Sequence, residues 1–91
     1  MAWPLADMDR QLKTLAGLAI EHGVNLGIRS IGLGPCPYML IEWDAFKASF
    51  IRDETVDIRT TECENNVYHT ASFFIDDQTY DITASEPKEE S

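Results

Sequence analysis

VYHTASFFIDDQTYDIT, residues 67–83, decides the fold of this chain, because it has the pattern of two β-strands that meet at a tight turn. Successive side chains in a strand point to opposite faces, and both halves of this stretch alternate in a way that suits one buried face. β-Branched and aromatic residues are enriched on such surfaces. Asp76 and Asp77 lie between the halves, where a short hairpin loop tolerates aspartate. The stretch therefore predicts a β-hairpin.

An amphipathic helix is predicted near the N-terminus, over residues 7–22. Asp7 or Asp9 can cap the N-terminus of this helix or interact favourably with its partial positive charge. Gly23 is a natural terminator just after the last helical residue. Its apolar residues recur at spacings of three and four and gather on one stripe, which is the pattern of a helix lying on a sheet. The residues of this stripe are Leu5, Met8, Leu12, Leu15, Ala16 and Ala19.

Three further strands are expected between the helix and the hairpin. The first covers residues 24–29, where Gly27 marks a bulge or a close backbone approach. A turn rich in glycine and proline, residues 32–37, separates it from an apolar strand at 38–43. The hydrophobicity of that second strand is nearly continuous, as in a central strand covered on both faces. A third strand is predicted at 56–59.

Residues 44–52 fit two structures. As a strand, the segment places Phe46 and Phe50 on one side, whereas as a helix it groups them with Trp43 and Ile51. The short length of the segment and the lack of a clear turn before it favour the strand slightly.

The fold class that follows is α+β. One N-terminal amphipathic helix packs on a mainly antiparallel sheet of four to six strands, because no loop holds a second helix long enough for a parallel crossover. Residues 1–85 are expected to form a single domain and residues 86–91 a polar, acidic tail. One helix covers only one face of a sheet, so some aromatic residues should face solvent, a partner or a second copy of the chain. The aromatic residues in question are Tyr38, Phe46, Phe50, Phe74 and Tyr80.

Sequence features that direct a chain out of the cytoplasm are not seen. No segment approaches the roughly 20 apolar residues that span a bilayer, and the first residues lack the basic start and apolar run of a secretory signal. Cys36 and Cys63 are too few and too far apart to indicate a disulfide framework. The chain is therefore expected to be cytoplasmic, with reduced thiols and no membrane contact.

Motifs for catalysis, cofactors and metals are weak. Cys36, Cys63, His22 and His69 do not form the paired CxxC or HxxxH elements of structural zinc sites. The glycines of residues 27–34 match neither a phosphate loop nor a dinucleotide-binding fingerprint, and no serine has the G-x-S-x-G frame. We therefore expect no metal, no cofactor and no enzymatic activity.

Charge is the most informative property of the sequence. The formal net charge is −9, and residues 53–91 account for all of the excess, since they hold eleven acidic residues against Arg59 and Lys88. Such a chain repels phosphates and anionic lipids, which argues against direct binding to nucleic acid. The acidity favours binding to a basic protein partner, or it serves only to keep the chain highly soluble.

Two functional hypotheses follow from this charge distribution. The first is a small acidic binding protein that inhibits or sequesters a basic partner, such as a nuclease, a nucleic-acid-binding complex or a toxin. It would occupy the partner's phosphate-binding surface, as nucleic-acid mimics and immunity-type inhibitors from phages or mobile elements do. The alternative is a structural or assembly subunit that self-associates, for example as a homodimer, through a strand edge or an aromatic face. The residues predicted to contact a basic partner are Asp53, Glu54, Asp57, Asp76, Asp77 and Asp81, with Phe74 or Tyr80 as an aromatic anchor.

Overall fold

The architecture is α+β: an N-terminal helix lies on a mainly antiparallel sheet, as the sequence predicts. The computed structural model describes residues 4–24, 27–51 and 56–87. Its helical elements are α1 (Leu5–Glu21) and α2 (Trp43–Phe46), the latter continuing as a turn of π-helix (Lys47–Ile51). Its strands are β1 (Ile28–Gly32), β2 (Tyr38–Ile41), β3 (Ile58–Glu62), β4 (Asn66–Ile75) and β5 (Gln78–Pro87).

The described strands form one sheet in the order β1-β2-β5-β4-β3. The β1–β2, β3–β4 and β4–β5 pairs are antiparallel, and β2 pairs with β5 in parallel. The long β4–β5 hairpin is the element predicted from residues 67–83, and it occupies the centre of the sheet. Because β3, β4 and β5 follow one another as a meander, the start of β3 and the turn of the hairpin lie at the same end of the sheet.

Helix α1 ends where the sequence predicts, at a glycine that adopts a left-handed conformation. Gly23 has a φ of 85°. Its N–H donates to the carbonyl of Ile20 at 3.0 Å, and the N–H of Val24 donates to the carbonyl of Ala19 at 2.7 Å. These two bonds are those of a Schellman motif, which satisfies the last carbonyls of a helix and reverses the chain.

The hairpin turn is made by two aspartates in the left-handed region. Asp76 and Asp77 have φ values of 51° and 62°, and Ile75 pairs with Gln78 on either side of them. Two consecutive positive φ angles define a type I′ turn, whose twist matches that of the flanking strands. Aspartate tolerates this conformation better than most residues other than glycine and asparagine.

Of the two structures that fit residues 44–52, the described part of the segment adopts the helix and not the slightly favoured strand. Phe46 and Phe50 are four residues apart, and both are fully buried. A helical conformation places such a pair on the same side of the element, where both rings reach the sheet. Trp43 stands one turn before Phe46 and stacks on its ring, with centroids 6.0 Å apart.

Two further predictions need correction. Strand β2 is covered on one face only, since Met39 and Ile41 are buried while Tyr38 and Leu40 are 40% and 38% exposed. The first strand begins at Ile28 rather than at residue 24, because the Schellman motif occupies the start of that segment.

The boundary between domain and tail also differs from the prediction. Strand β5 extends through Pro87, so Glu86 and Pro87 belong to the sheet and not to a tail. Both pair with β4, Glu86 opposite Val67 and Pro87 opposite Asn66. The rest of the predicted tail, residues 88–91, lies outside the described residues.

The hydrophobic core fills the space between the helices and one face of the sheet. The helices contribute Leu15 and Leu18 from α1, together with Phe46 and Phe50, and all four side chains are at most 6% exposed. The sheet contributes every second residue of its three central strands, because alternate side chains of a pleated strand point to the same face. These are Met39, Ile41, Ala71, Tyr80, Ile82 and Ala84.

One buried polar side chain ties the helix to the glycine-rich loop. Gln11 is 1% exposed. Its Nε2 donates to the carbonyl of Gly34 at 2.8 Å, and its Oε1 accepts from the N–H of Gly34 at the same distance. The side-chain amide thus satisfies both backbone groups of one residue, which removes the cost of burying them unpaired. Gln78 makes a further, solvent-exposed hydrogen bond to this loop, in which its Nε2 donates to the carbonyl of Pro35 at 3.0 Å.

Candidate functional site

In the part of the chain that the structure describes, no helix lies over one face of the sheet, which we call the open face. Strand β5 shows the division: Tyr80 and Ile82 are buried under the helices, whereas Asp81 and Thr83 point to the other side. Across the strands, the pairing aligns residues of the open face into rows. One row consists of Tyr38, Asp81 and Ser72, and the next consists of Ser30, Leu40, Thr83, Thr70 and Arg59.

Four of the predicted acidic residues gather at one end of the sheet. Ser72 pairs with Asp81 and donates its hydroxyl to the Oδ1 of Asp81 at 2.8 Å, while its N–H donates to the carbonyl of Asp57 at 3.5 Å. Asp57 and Asp81 therefore lie on either side of Ser72. The turn at Asp76 and Asp77 is about 13 Å further along the hairpin, as four residues of strand require. We call these four carboxylates the acidic hairpin end.

The acidic hairpin end is not neutralised by the residues that the structure describes. None of Asp57, Asp76, Asp77 and Asp81 is within ion-pair distance of a lysine or arginine in the described ranges. The acids of α1 differ, because Asp7 pairs with Arg10 and Asp9 pairs with Lys13. Unpaired like charges repel one another, so this grouping costs stability and favours association with a cationic surface.

Phe74 stands between the Ser72 row and the turn. It is 71% exposed, on the open face, in a strand whose neighbouring residue Phe73 packs against the core. Tyr38 is 40% exposed on the same face, and its ring lies over Gly32, where an added Cβ would clash with the ring Cε1. The prediction that Tyr80 could serve as an anchor is wrong, because this side chain is only 2% exposed.

The remaining predicted acidic contacts, Asp53 and Glu54, lie outside the described residues. The other described acids of the C-terminal half, Glu62, Glu64 and Glu86, are not part of the acidic hairpin end. Glu62 pairs with Val67, and Val67 pairs with Glu86, so both glutamates are at the opposite end of the sheet. Glu64 follows in the exposed loop between β3 and β4. The described acidic residues of the C-terminal half are therefore divided between two ends of the sheet, with an exposed aromatic residue at the hairpin end.

A histidine cluster on the covered side was not predicted. His69 stacks on Trp43 with ring centroids 4.3 Å apart. Its Nε2 is 3.0 Å from Oε1 of Glu86, and its Nδ1 is 3.3 Å from Oγ1 of Thr60. With Nε2–H donating to the carboxylate, Nδ1 accepts the threonine hydroxyl, so both ring nitrogens are satisfied. The period of two places His69 and Glu86 on the covered face, and the two-residue turn at Asp76 and Asp77 sets the register that brings their side chains together, so this signal was available in the sequence.

Metal-binding geometry is not seen in the described ranges, which contain no group of three histidine, cysteine, aspartate or glutamate residues close enough to share an ion. Cys36 and Cys63 are both free thiols and exposed. His22 is held by aromatic rings, with centroid distances of 4.8 Å to Phe50 and 5.3 Å to Phe73.

Comparison of the chain with protein-family models, curated proteins and solved structures finds no match. Within the described residues, no helix is both long enough and apolar enough to cross a lipid bilayer. The function is therefore argued from the geometry of the open face.

Proposed function

We propose that this chain is a small binding protein that captures a basic protein partner through the acidic hairpin end. The observation that carries the proposal is the grouping of four carboxylates, without ion-pair partners in the described ranges, around a phenylalanine that is 71% exposed. Single exposed apolar side chains are common on soluble proteins, so Phe74 supports the proposal through its position between the carboxylates and not through its exposure alone.

The carboxylates would provide long-range attraction and orientation. The turn carboxylates lie about 13 Å along the hairpin from Asp81, so all four carboxylates act together at low ionic strength, where the Debye length is about 30 Å. At physiological ionic strength, where it is about 8 Å, the two ends of the group are partly screened from one another. They speed the association of an oppositely charged partner and reject acidic ones. The ion pairs themselves add modest free energy where they stay exposed.

Phe74 would provide the short-range contact. Burying a phenylalanine side chain that is exposed in the free protein contributes roughly 1.5–3 kcal/mol. Binding energy in protein interfaces is concentrated in a few such residues near the centre of the contact. The carboxylates of Asp76, Asp77 and Asp81 would then form the polar rim around the ring.

The class of partner that this surface fits is a protein with a cationic, phosphate-binding groove: a nuclease, a nucleic-acid-binding complex or a toxin. Carboxylates on a protruding hairpin can take the place of backbone phosphates in such a groove. The consequence for the partner would be inhibition, because its nucleic-acid substrate and this chain would compete for the same lysine and arginine side chains.

A second candidate function is self-association, and the open face favours it. Tyr38, Leu40 and Tyr68 are each about 40% exposed there, and β1 and β3 are edge strands of the described sheet. An uncovered face with apolar side chains, or a free strand edge, can pair with a second copy. The two functions differ in their response to salt. Light scattering of the chain alone should give the mass of one chain for a partner-binding protein, and a larger mass that persists from low to moderate salt for an assembly subunit.

The capture of a basic protein from a host lysate tests the first proposal. The informative variant is Asp76→Asn/Asp77→Gly, which removes two carboxylates and keeps residues that form type I′ turns readily. Its matched control is Glu42→Gln/Glu64→Gln, which removes two exposed carboxylates at the opposite end of the sheet, so both variants have the same net charge.

The proposal predicts that the unmodified chain and the control capture the same basic protein, and that the hairpin variant captures at least tenfold less of it. The captured protein should also be released between about 50 and 300 mM salt, since screened charges steer the association. Equal capture by the two variants would show that only the net charge matters, and it would contradict a localised binding surface.

A further inference from the structure

The half of the open face away from the hairpin turn holds a groove of about 340 Å³. Its volume is at the lower end of the range that is typical of small-molecule sites, roughly 300–1,000 Å³. It differs from the acidic hairpin end in chemistry, because its described lining combines one guanidinium, four hydroxyl groups and apolar side chains. The lining residues are Arg29, Ser30, Leu40, Ile41, Tyr68, Thr83 and Ser85.

A β-bulge directs the charged residue to this groove. Ile28 pairs with Ile41 and Ser30 with Leu40, so Arg29 is an extra residue in β1 with no partner in β2. In a regular strand, Arg29 and Ser30 would point to opposite faces. The bulge lets both of them line the groove, which is one of the ways in which bulges redirect side chains at binding sites.

The guanidinium of Arg29 is available for a ligand. Over the ranges that the structure describes, Arg29 makes no ion pair or side-chain hydrogen bond. The hydroxyls of Ser30 and Ser85 also have no protein partner there, whereas the Thr83 hydroxyl bonds to that of Thr70 at 3.0 Å. A planar guanidinium fork matches the two oxygens of a carboxylate, and adjacent hydroxyls can donate to the same group.

The apolar part of the groove is formed by Leu40 and Tyr68. Both side chains are 38% exposed, so a ligand can still cover part of their surface. They lie on β2 and β4, on either side of the hydroxyl-bearing residues Thr83 and Ser85 of β5. The groove thus places one anion-binding group beside two apolar walls.

The geometry points to a binding site for a small organic monocarboxylate, with its carboxylate on Arg29 and its apolar part between Leu40 and Tyr68. A monoanion fits better than a phosphate ester, because Arg29 is the one cationic side chain among the described lining residues and the chain's net charge of −9 repels a dianion more strongly. This site is separate from the acidic hairpin end, and either of the two proposals can fail without the other.

Amide NMR titration of the full chain with benzoate tests the site. We expect saturable shifts concentrated at Ser30, Leu40, Tyr68, Thr83 and Ser85. Benzyl alcohol, which lacks the carboxylate, and inorganic phosphate, which lacks the ring, should each bind at least tenfold more weakly. Phenyl phosphate should also bind more weakly than benzoate, because it carries the additional charge.

Two variants separate the role of Arg29 from general electrostatics. Arg29→Gln should abolish the saturable shifts, whereas Arg59→Gln should keep benzoate affinity within about twofold. Arg59 is the matched control because it lies on the same face, in β3, without lining the groove. The amide spectrum of each variant without ligand establishes that it is folded. The absence of saturable shifts with benzoate, equal affinity for benzyl alcohol or either phosphate, or unchanged affinity in Arg29→Gln would each overturn the proposal.

Discussion

The two faces of the sheet are built from the same strands, yet they differ in almost every physical property. On the covered face of β5, Tyr80 and Ile82 are at most 2% exposed. On the open face of the same strand, Asp81 and Thr83 hydrogen-bond to side chains of β4. Alternate residues of one strand therefore serve packing and surface chemistry, and a substitution should affect stability or binding according to the face on which it falls.

The largest expected difference between the faces is in the free energy of unfolding. Phe46→Ala removes a fully buried ring and should destabilise the domain by about 3–5 kcal/mol, through lost burial and the cavity that remains. Phe74→Ala removes a ring that is 71% exposed and should change stability by less than about 1 kcal/mol. Denaturant unfolding followed by circular dichroism measures both values. Similar losses in the free energy of unfolding for the two substitutions would contradict the distinction between the covered and the open face.

Substitution of the two glutamines that hydrogen-bond to the glycine-rich loop should change the free energy of unfolding by a smaller amount. Gln11→Ala leaves both backbone groups of Gly34 unpaired in a buried position and should cost about 2–4 kcal/mol. Gln78→Ala removes an exposed bond to Pro35 and should cost less than about 1 kcal/mol. The same unfolding experiment compares them. If Gln11→Ala proved as mild as its counterpart, water would be reaching Gly34, and the loop would not be held by the side-chain amide.

The smallest expected effect is a gain in stability at the hairpin turn. Asp76→Asn/Asp77→Gly replaces two residues at positive φ by the pair that favours a type I′ turn, and it removes the repulsion between adjacent carboxylates. The free energy of unfolding should rise by about 0.5–1 kcal/mol. Thermal unfolding reports this as a higher Tm. A lower Tm would show that the aspartates make stabilising contacts in the turn.

The hairpin variant also separates an effect on binding from an effect on stability. If the aspartates are present for a partner, their removal should strengthen the fold and weaken the capture of a basic protein. Loss of capture in a more stable protein cannot be attributed to unfolding. Residues kept at a cost in stability are typical of functional sites.

The helix, the hairpin and the fold class were predictable because each depends on a local pattern. The spacing of apolar residues marks α1, Gly23 marks its end, and the paired aspartates mark the turn. Residues 44–52 were not predictable in this way, because Phe46 and Phe50 lie on one side of either a strand or a helix. Trp43 discriminates between the two, because it packs with Phe46 in the helix but would lie on the opposite face of a strand, and that packing is a property of the tertiary structure.

In the candidate sites, too, local patterns were predictable from the sequence, whereas contacts that depend on the tertiary structure were not. Asp57, Asp76, Asp77 and Asp81 were predictable as a group, since a meander brings the start of β3 and the hairpin turn to one end. The burial of Tyr80 was missed, although its period-two relation to Ile82 and Ala84 places all three on one face. The Arg29 groove depends on a bulge in β1 and on the parallel pairing of β2 with β5. Gly27 indicated a bulge or a close backbone approach in this strand but not that Arg29 would be the extra residue, and the parallel pairing has no signature in the sequence.

The most direct test of the account is the footprint of a captured basic partner on the chain, measured by amide hydrogen exchange of the free and bound protein. The account predicts that the partner protects the turn and the hairpin residues 72–81, together with Asp57, and leaves the loop at 63–65 unchanged. Protection concentrated at that loop, or on the exposed side of α1, would contradict the claim that the acidic hairpin end is the binding surface.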